Sequence, residues 1–169
     1  MRASESLFSF LSGPWHFSRS VRHAAGDVFT VTGTCSWAPL SAVAPFSDLQ
    51  YEERGRMLRG EAFVADVRQA ATWHLRGQLR AEVFFPDGRP FHDVELATLA
   101  VGAACRCAHD CPPDVYAGEL ALAAPLPGEG GPLALELAWR VTGPQKDYTS
   151  RTRWWRDAGE PTGKQRVEC

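Results

Sequence analysis

Two histidines, a cysteine, an aspartate, two tyrosines and a lysine fall at alternate positions in the second half of this chain. That is the spacing at which a β-strand turns every second side chain to one face. In "FHDVEL" (91–96), Phe91, Asp93 and Glu95 take one face and His92, Val94 and Leu96 the other, so the imidazole points where the apolar pair points. Alone, such a residue is a core histidine satisfied by one hydrogen bond. Its company argues otherwise. Trp15, Phe17 and Val21 carry Arg19 onto their face, Leu49 carries Tyr51 and Glu53, and Leu120 and Leu122 carry Tyr116. If Gly143-Pro144 forms a two-residue loop, Trp139 meets Tyr148 and Val141 meets Lys146, which also turns Thr152, Trp154 and Arg156 inward. With Val101-Gly102 as another loop, His92 falls opposite Cys111 and diagonal to His109; a register shifted by two sets it opposite His109.

An interior that collects Arg19, Glu53, His92, His109, Lys146 and Arg156 with Tyr51, Tyr116 and Tyr148 is not a dry core, because unpaired buried charge is costly. Arg19–Glu53 and Lys146–Asp114 pairs would act as plugs that close a barrel; a polar cavity accounts for the whole set. Three chemistries fit it. The first is a ligand site built from Arg19, Tyr51, Glu53, His92, His109, Cys111, Asp114, Tyr116, Lys146, Tyr148 and Arg156. There the basic groups outnumber Glu53 and suit a carboxylate or phosphate, while Trp15, Trp37, Trp139 and Trp154 supply apolar walls. The expected partner is an anionic or polar-aromatic small molecule. The second is an enzyme of isomerase, cyclase or hydrolase type. His92 and His109 would serve as general base and acid, Tyr116 or Tyr148 as a relay, and Lys146 against an oxyanion. The third is a metal site on His92, His109 and Cys111, with Asp114 beside them.

The run Cys105-x-Cys107-x-His109-x-Cys111 cannot hold an ion unaided. Alternate residues on a strand stand about 7 Å apart, whereas zinc needs its ligands within about 2.3 Å of one point. No cofactor is specified: an inward histidine suits haem as an axial ligand, but there is no C-x-x-C-H attachment run. Burial and neighbouring positive charge from Lys146 and Arg19 should push at least one of the two imidazoles below the usual value of about 6.5.

Strands must position these groups, and nearly every segment reads as one. Trp15–Val21 and Phe29–Trp37 alternate cleanly, followed by Leu49–Glu53, Phe63–Val67, a short piece at Trp73–Leu75 and Leu79–Phe85. Asp87-Gly88 marks a tight hairpin, and further strands run through 89–99, 104–111, 115–124, 132–142 and 145–156. Turn residues at 25–27, 54–55, 101–102, 127–131 and 143–144 separate most of them. Near the start, Leu7, Phe8 and Leu11 share the face of a short helix with Ser4 as cap and Gly13 as stop. About ten antiparallel strands joined by hairpins predict an all-β, closed antiparallel barrel, with the helix plugging one end. Residues 1–156 form its single domain, and the Gly/Pro- and charge-rich 157–169 is expected to be a disordered tail.

Composition narrows the partners. A net charge of −2 with scattered basic residues argues against a nucleic-acid surface. No apolar run reaches the roughly 20 residues needed to span a bilayer, and MRASESLFSFLSG makes a poor signal peptide. Five cysteines form no spaced framework, so reduced thiols and a cytoplasmic location are expected. Composition does not fix the oligomeric state.

Five stretches together resemble the bacterial and plant family of unknown function DUF6314. They are "LSGPWHFSR" (11–19), "LQYEERG" (49–55), "FPDGRPFH" (85–92), "HDCPPDVYAG" (109–118) and "WRVTGPQKDYTSRTRWWR" (139–156). The resemblance runs through almost the whole chain. It implies motif positions at His92, His109, Cys111, Asp114, Tyr116, Lys146, Asp147 and Tyr148, and it brings no activity with it. Gln145 stands where the family usually has Arg, and Trp154 where it usually has Tyr; both differences fall outside the central motif. The pattern is similar to calycin-type barrels such as lipocalins, fatty-acid-binding proteins and nitrobindins, an analogy of fold alone.

Overall fold

A computed structural model describes residues 7–40, 48–76, 80–95, 98–99, 102–124 and 134–156. Helix α1 (Leu7–Leu11) leads into ten strands: β1 (Gly13–His23), β2 (Val28–Pro39), β3 (Asp48–Arg59), β4 (Ala62–Arg76), β5 (Arg80–Phe84), β6 (Pro90–Glu95), β7 (Cys105–Cys111), β8 (Asp114–Ala123), β9 (Ala134–Thr142) and β10 (Asp147–Trp155). Their order in the sheet is β6-β5-β4-β3-β2-β1-β10-β9-β8-β7, antiparallel throughout. The edge strands β6 and β7 come side by side, so the sheet curls into a nearly closed barrel. This is the all-β antiparallel barrel that the run of hairpins predicts. Among the described residues, no helix is long and apolar enough to cross a membrane. Ser4, Leu79, Leu96, Val101, the turn at 127–131 and the tail from 157 lie outside the described residues.

Helix α1 closes one end. Gly13 leaves it at φ +109°, a left-handed geometry that suits glycine. Trp15 Nε1 donates to Leu11 O at 2.8 Å, and Arg156 donates to Phe10 O and Ser12 O at 2.7 Å each. The Arg156 guanidinium also lies 4.3 Å from the Trp15 ring. Above this plug, Phe17, Val31, Leu49, Leu120 and Leu135 fill the interior at 2% exposure or less. Gly33 and Gly55 pair across β2 and β3, and a Cβ on Gly55 would come within 3.0 Å of Phe17 Cζ, so the bare backbone makes room for that ring.

Strand β3 runs straight through the turn expected at 54–55, and three details of strand pairing also differ from the alternation pattern. The β9–β10 loop is centred on Pro144-Gln145 rather than Gly143-Pro144, with Gly143 N donating to Lys146 O at 2.7 Å. Val141 therefore faces Tyr148, and Trp139 faces Ser150. A shift of two leaves the inner face unchanged, because side chains repeat every second residue. Strand β4 runs unbroken for 15 residues, joining the Phe63–Val67 and Trp73–Leu75 pieces. The third change is a bulge: His92 pairs with Val83 but Pro90 pairs with Phe84, leaving Phe91 as the extra residue. A bulge breaks alternation locally, so Phe91 packs against the core beside His92 instead of pointing outward.

Between β6 and β7 there is no backbone ladder among the described residues. The expected pairing of His92 with Cys111 or His109 is absent; instead the Phe91 ring stands 5.2 Å from that of His109. Nearer the plugged end, Glu95 N donates to Cys105 Sγ at 3.1 Å. The seam is open.

Candidate functional site

The half of the barrel away from α1 contains a cavity of about 320 Å³. Four tryptophans border it: Trp37, Trp73 and Trp154 from β2, β4 and β10, and Trp139 from β9. Phe91 stacks on Trp139 with centroids 5.5 Å apart and planes at 28°. Polar groups reach the same space: Arg19, His23, Tyr51, Gln69, His92, Tyr116, Tyr148, Ser150 and Thr152. Such a mostly apolar enclosure with a few fixed polar groups is the usual form of a small-molecule site.

Arg19 is held from below. Its Nη1 and Nη2 donate to the two Glu53 oxygens at 2.8 Å each, and its Nε donates to Thr152 Oγ1 at 2.8 Å. Tyr51 OH donates to Glu53 Oε2 at 2.5 Å and accepts from Trp154 Nε1 at 3.1 Å. Glu53 is 1% exposed and does not line the cavity; Arg19 and Tyr51 do. Burial pushes the Tyr51 phenol well above the ordinary tyrosine range, so it stays a donor.

His92 is 6% exposed between Phe91, Trp139 and Trp73, at centroid distances of 4.6, 5.3 and 6.5 Å. Burial lowers its pKa to about 4, and repulsion from His109 adds to this. Arg19 and Lys146, expected to contribute, are not the cause. The neutral ring retains one donor and one acceptor nitrogen.

At the mouth, Lys146 Nζ contacts Asp114 Oδ2 at 2.7 Å and donates to Tyr116 OH at 2.8 Å. The hydrogen bond to Asp114, then that to Tyr116, holds the ammonium above the usual lysine range. A Cβ on Gly143 would overlap the Asp114 carboxylate, so this glycine lets the aspartate reach the β9–β10 hairpin.

The remaining expected site residues lie elsewhere. His109 is half-buried among Phe85, Phe91 and Tyr116 and does not line the cavity. Cys111 is an exposed free thiol beside the Pro112-Pro113 turn. Arg156 belongs to the α1 plug, at the opposite end. Among the described residues, no group of three or more His, Cys, Asp or Glu side chains is placed to hold a metal ion. Sequence reasoning passed over Phe91, Trp73 and Gln69 as site residues. Gln69, Ala71 and Trp73 alternate on one face of β4, a signal hidden by reading that strand as two pieces.

Gly118 positions the Trp139 wall. A Cβ there would lie 2.6 Å from Trp139 Cζ3 and 2.6 Å from Cys107 Sγ. Gly118→Ala is therefore expected to drive the indole into the cavity and destabilise the fold by about 1–3 kcal/mol, the usual cost of overpacking. Thermal melts and the Trp fluorescence maximum check this; a variant with native stability and native emission would show that the indole has room to spare.

Three comparisons with known proteins bear on the chain. The family described as "Family of unknown function (DUF6314)" matches residues 11–156. Among curated proteins, none matches by sequence. Among solved structures, the S-type phycobiliprotein lyase CPES from Guillardia theta superposes with a TM-score of 0.61 at 9% identity, over 93% of this chain and 96% of that one. At that identity the likeness is one of fold alone.

Proposed function

As the chain belongs to the DUF6314 family, whose description assigns no activity, its function rests on its cavity, and we propose that it binds a flat, largely apolar small molecule in the open half of the barrel. One observation carries this reading: four tryptophans and Phe91 give a space of about 320 Å³ mostly apolar walls, with polar side chains set between them. Aromatic walls favour stacking or edge contacts with a planar ring system. Arg19, Tyr51, His92, Tyr116 and Tyr148 would meet its polar atoms. Glu53, Asp114 and Lys146 would act at one remove, by holding Arg19 and Tyr116 in place. That a barrel of this fold is a phycobiliprotein lyase supports a barrel that takes a small molecule rather than one that only scaffolds.

The acid–base alternative loses its two histidines and narrows to Tyr116. His92, with a pKa of about 4, is a weak base at neutral pH, and His109 stands outside the cavity. Tyr116 accepts from Lys146 and lines the cavity, where its hydroxyl can donate to a bound molecule.

Titration with N-phenyl-1-naphthylamine, a neutral planar probe, tests the binding reading. Saturable one-to-one binding with quenching of Trp fluorescence is expected, and Trp139→Ala should weaken it about tenfold, the equivalent of about 1.4 kcal/mol. No saturable binding, together with native mass spectra free of any small molecule, would remove the proposal.

A further inference from the structure

The open seam between β6 and β7 adds a second space to the cavity. It measures about 350 Å³ and is lined by Pro90, Phe91, His92 and Asp93 on one side and by Arg106, Cys107 and Ala108 on the other. Phe91 and His92 border both this space and the inner cavity. The bulge that turns Phe91 inward thus sets these two rings between the interior and the seam.

Charge then distinguishes the two spaces. The three cations expected to receive an anionic ligand are all engaged. Arg19 is bidentate on Glu53, Lys146 is on Asp114, and Arg156 is on helix carbonyls at the plugged end. At the seam, Asp93 is offset by its ion pair with Arg80. Arg106 differs from all of these. Its guanidinium has no ion pair or hydrogen bond among the described residues, although Glu119 is its register partner on β8. It is exposed, on the outer face of β7, and it borders the seam.

We propose that the β6–β7 seam is an anion subsite continuous with the cavity, so that the ligand is a planar ring system carrying an acidic arm that passes Phe91 and His92 to reach Arg106. This deepens, and rests on, the binding reading above. The ring system lies against Trp139 in the interior, where no net positive charge is available to it. The acidic group is then solvated at the seam, and meets a guanidinium that can take a carboxylate, sulfonate or phosphate through two parallel hydrogen bonds. Such an arrangement avoids burying the ligand's charge.

A pair of probes that differ by one acidic group tests the proposal: 1-anilinonaphthalene-8-sulfonate and its neutral counterpart N-phenyl-1-naphthylamine, titrated into the native chain and into Arg106→Gln and Arg54→Gln. Arg54 is an exposed control cation on β3, away from the seam. Arg106→Gln should weaken the sulfonate about fivefold, leave the neutral probe unchanged, and reduce the salt dependence of sulfonate binding; Arg54→Gln should change neither probe. Equal effects of Arg106→Gln on both probes, no effect on either, or an equal effect of Arg54→Gln on the sulfonate would overturn the subsite while leaving the cavity reading intact. Failure of the neutral probe to bind the native chain would overturn the cavity reading, and the subsite with it.

Discussion

Glu53→Leu is expected to lower the melting temperature by roughly 10 °C. The side chain is fully buried, accepts both Arg19 hydrogen bonds and accepts a third from the Tyr51 hydroxyl. Removing one member of a buried ion pair typically costs about 3–5 kcal/mol, because the partner's charge stays behind without compensation. A domain of this size loses about 2–4 °C per kcal/mol. Arg19 can recover part of that loss by turning its guanidinium toward the cavity, since its side chain retains 17% exposure. The double variant Arg19→Met/Glu53→Leu should regain much of the lost stability, because two apolar side chains replace a pair whose desolvation was itself costly. Thermal melts of the native chain, both single variants and the double variant give the coupling. A loss of less than about 1 kcal/mol for Glu53→Leu would mean the pair is not what holds the upper barrel together.

Acid is the second large perturbation, and His92 is its target. The ring is neutral in the folded state down to a pKa of about 4, whereas an unfolded histidine takes up its proton near 6.5. Between these values the unfolded chain binds more protons, so stability rises with pH across the window. Its contribution is complete above pH 6.5, falls progressively as the pH drops toward 4, and is lost below that. The difference between about 4 and 6.5 corresponds to about 3 kcal/mol. His92→Phe keeps an aromatic ring among Phe91, Trp73 and Trp139 and removes the titration. Urea denaturation of both proteins at pH 7, 5.5 and 4.5 should show the native chain losing stability faster, with the difference confined to that window. Parallel curves would mean that His92 takes up its proton as readily folded as unfolded.

Alternation along the strands made most inward faces legible. Arg19, Tyr51, Glu53, His92, Tyr116, Tyr148 and Thr152 all carry the parity of the core, and parity survived even where the β9–β10 register moved by two. Height along the barrel was not legible. Arg19 and Arg156 share a face by counting, yet one borders the cavity and the other grips α1 at the far end. Depth depends on how strands stagger against each other, and no single segment encodes that. Phe91 was hidden for a different reason: a bulge is a mismatch between two strands, visible only once β5 and β6 are laid together. The Lys146–Asp114 pair was legible, but the share that Tyr116 takes in it needs the β7–β8 and β9–β10 hairpin ends to meet, with Gly143 leaving the space.

The order of strands also has a kinetic side. The first and last strands, β1 and β10, lie next to each other inside the sheet, while mid-chain strands β6 and β7 form its edges. Every other ladder joins consecutive strands, so it can form by local hairpin closure; the β1–β10 ladder instead pairs His16 with Trp155. Closing so long a stretch of chain must be met in entropy before any contact rewards it, and such distant pairings slow folding. The barrel is thereby divided into a six-strand meander and a four-strand meander, and joining them along β1 and β10 closes the longest loop in the chain. Until that joining is complete, Arg19 on one meander and Thr152 on the other remain apart, and the cavity has no floor.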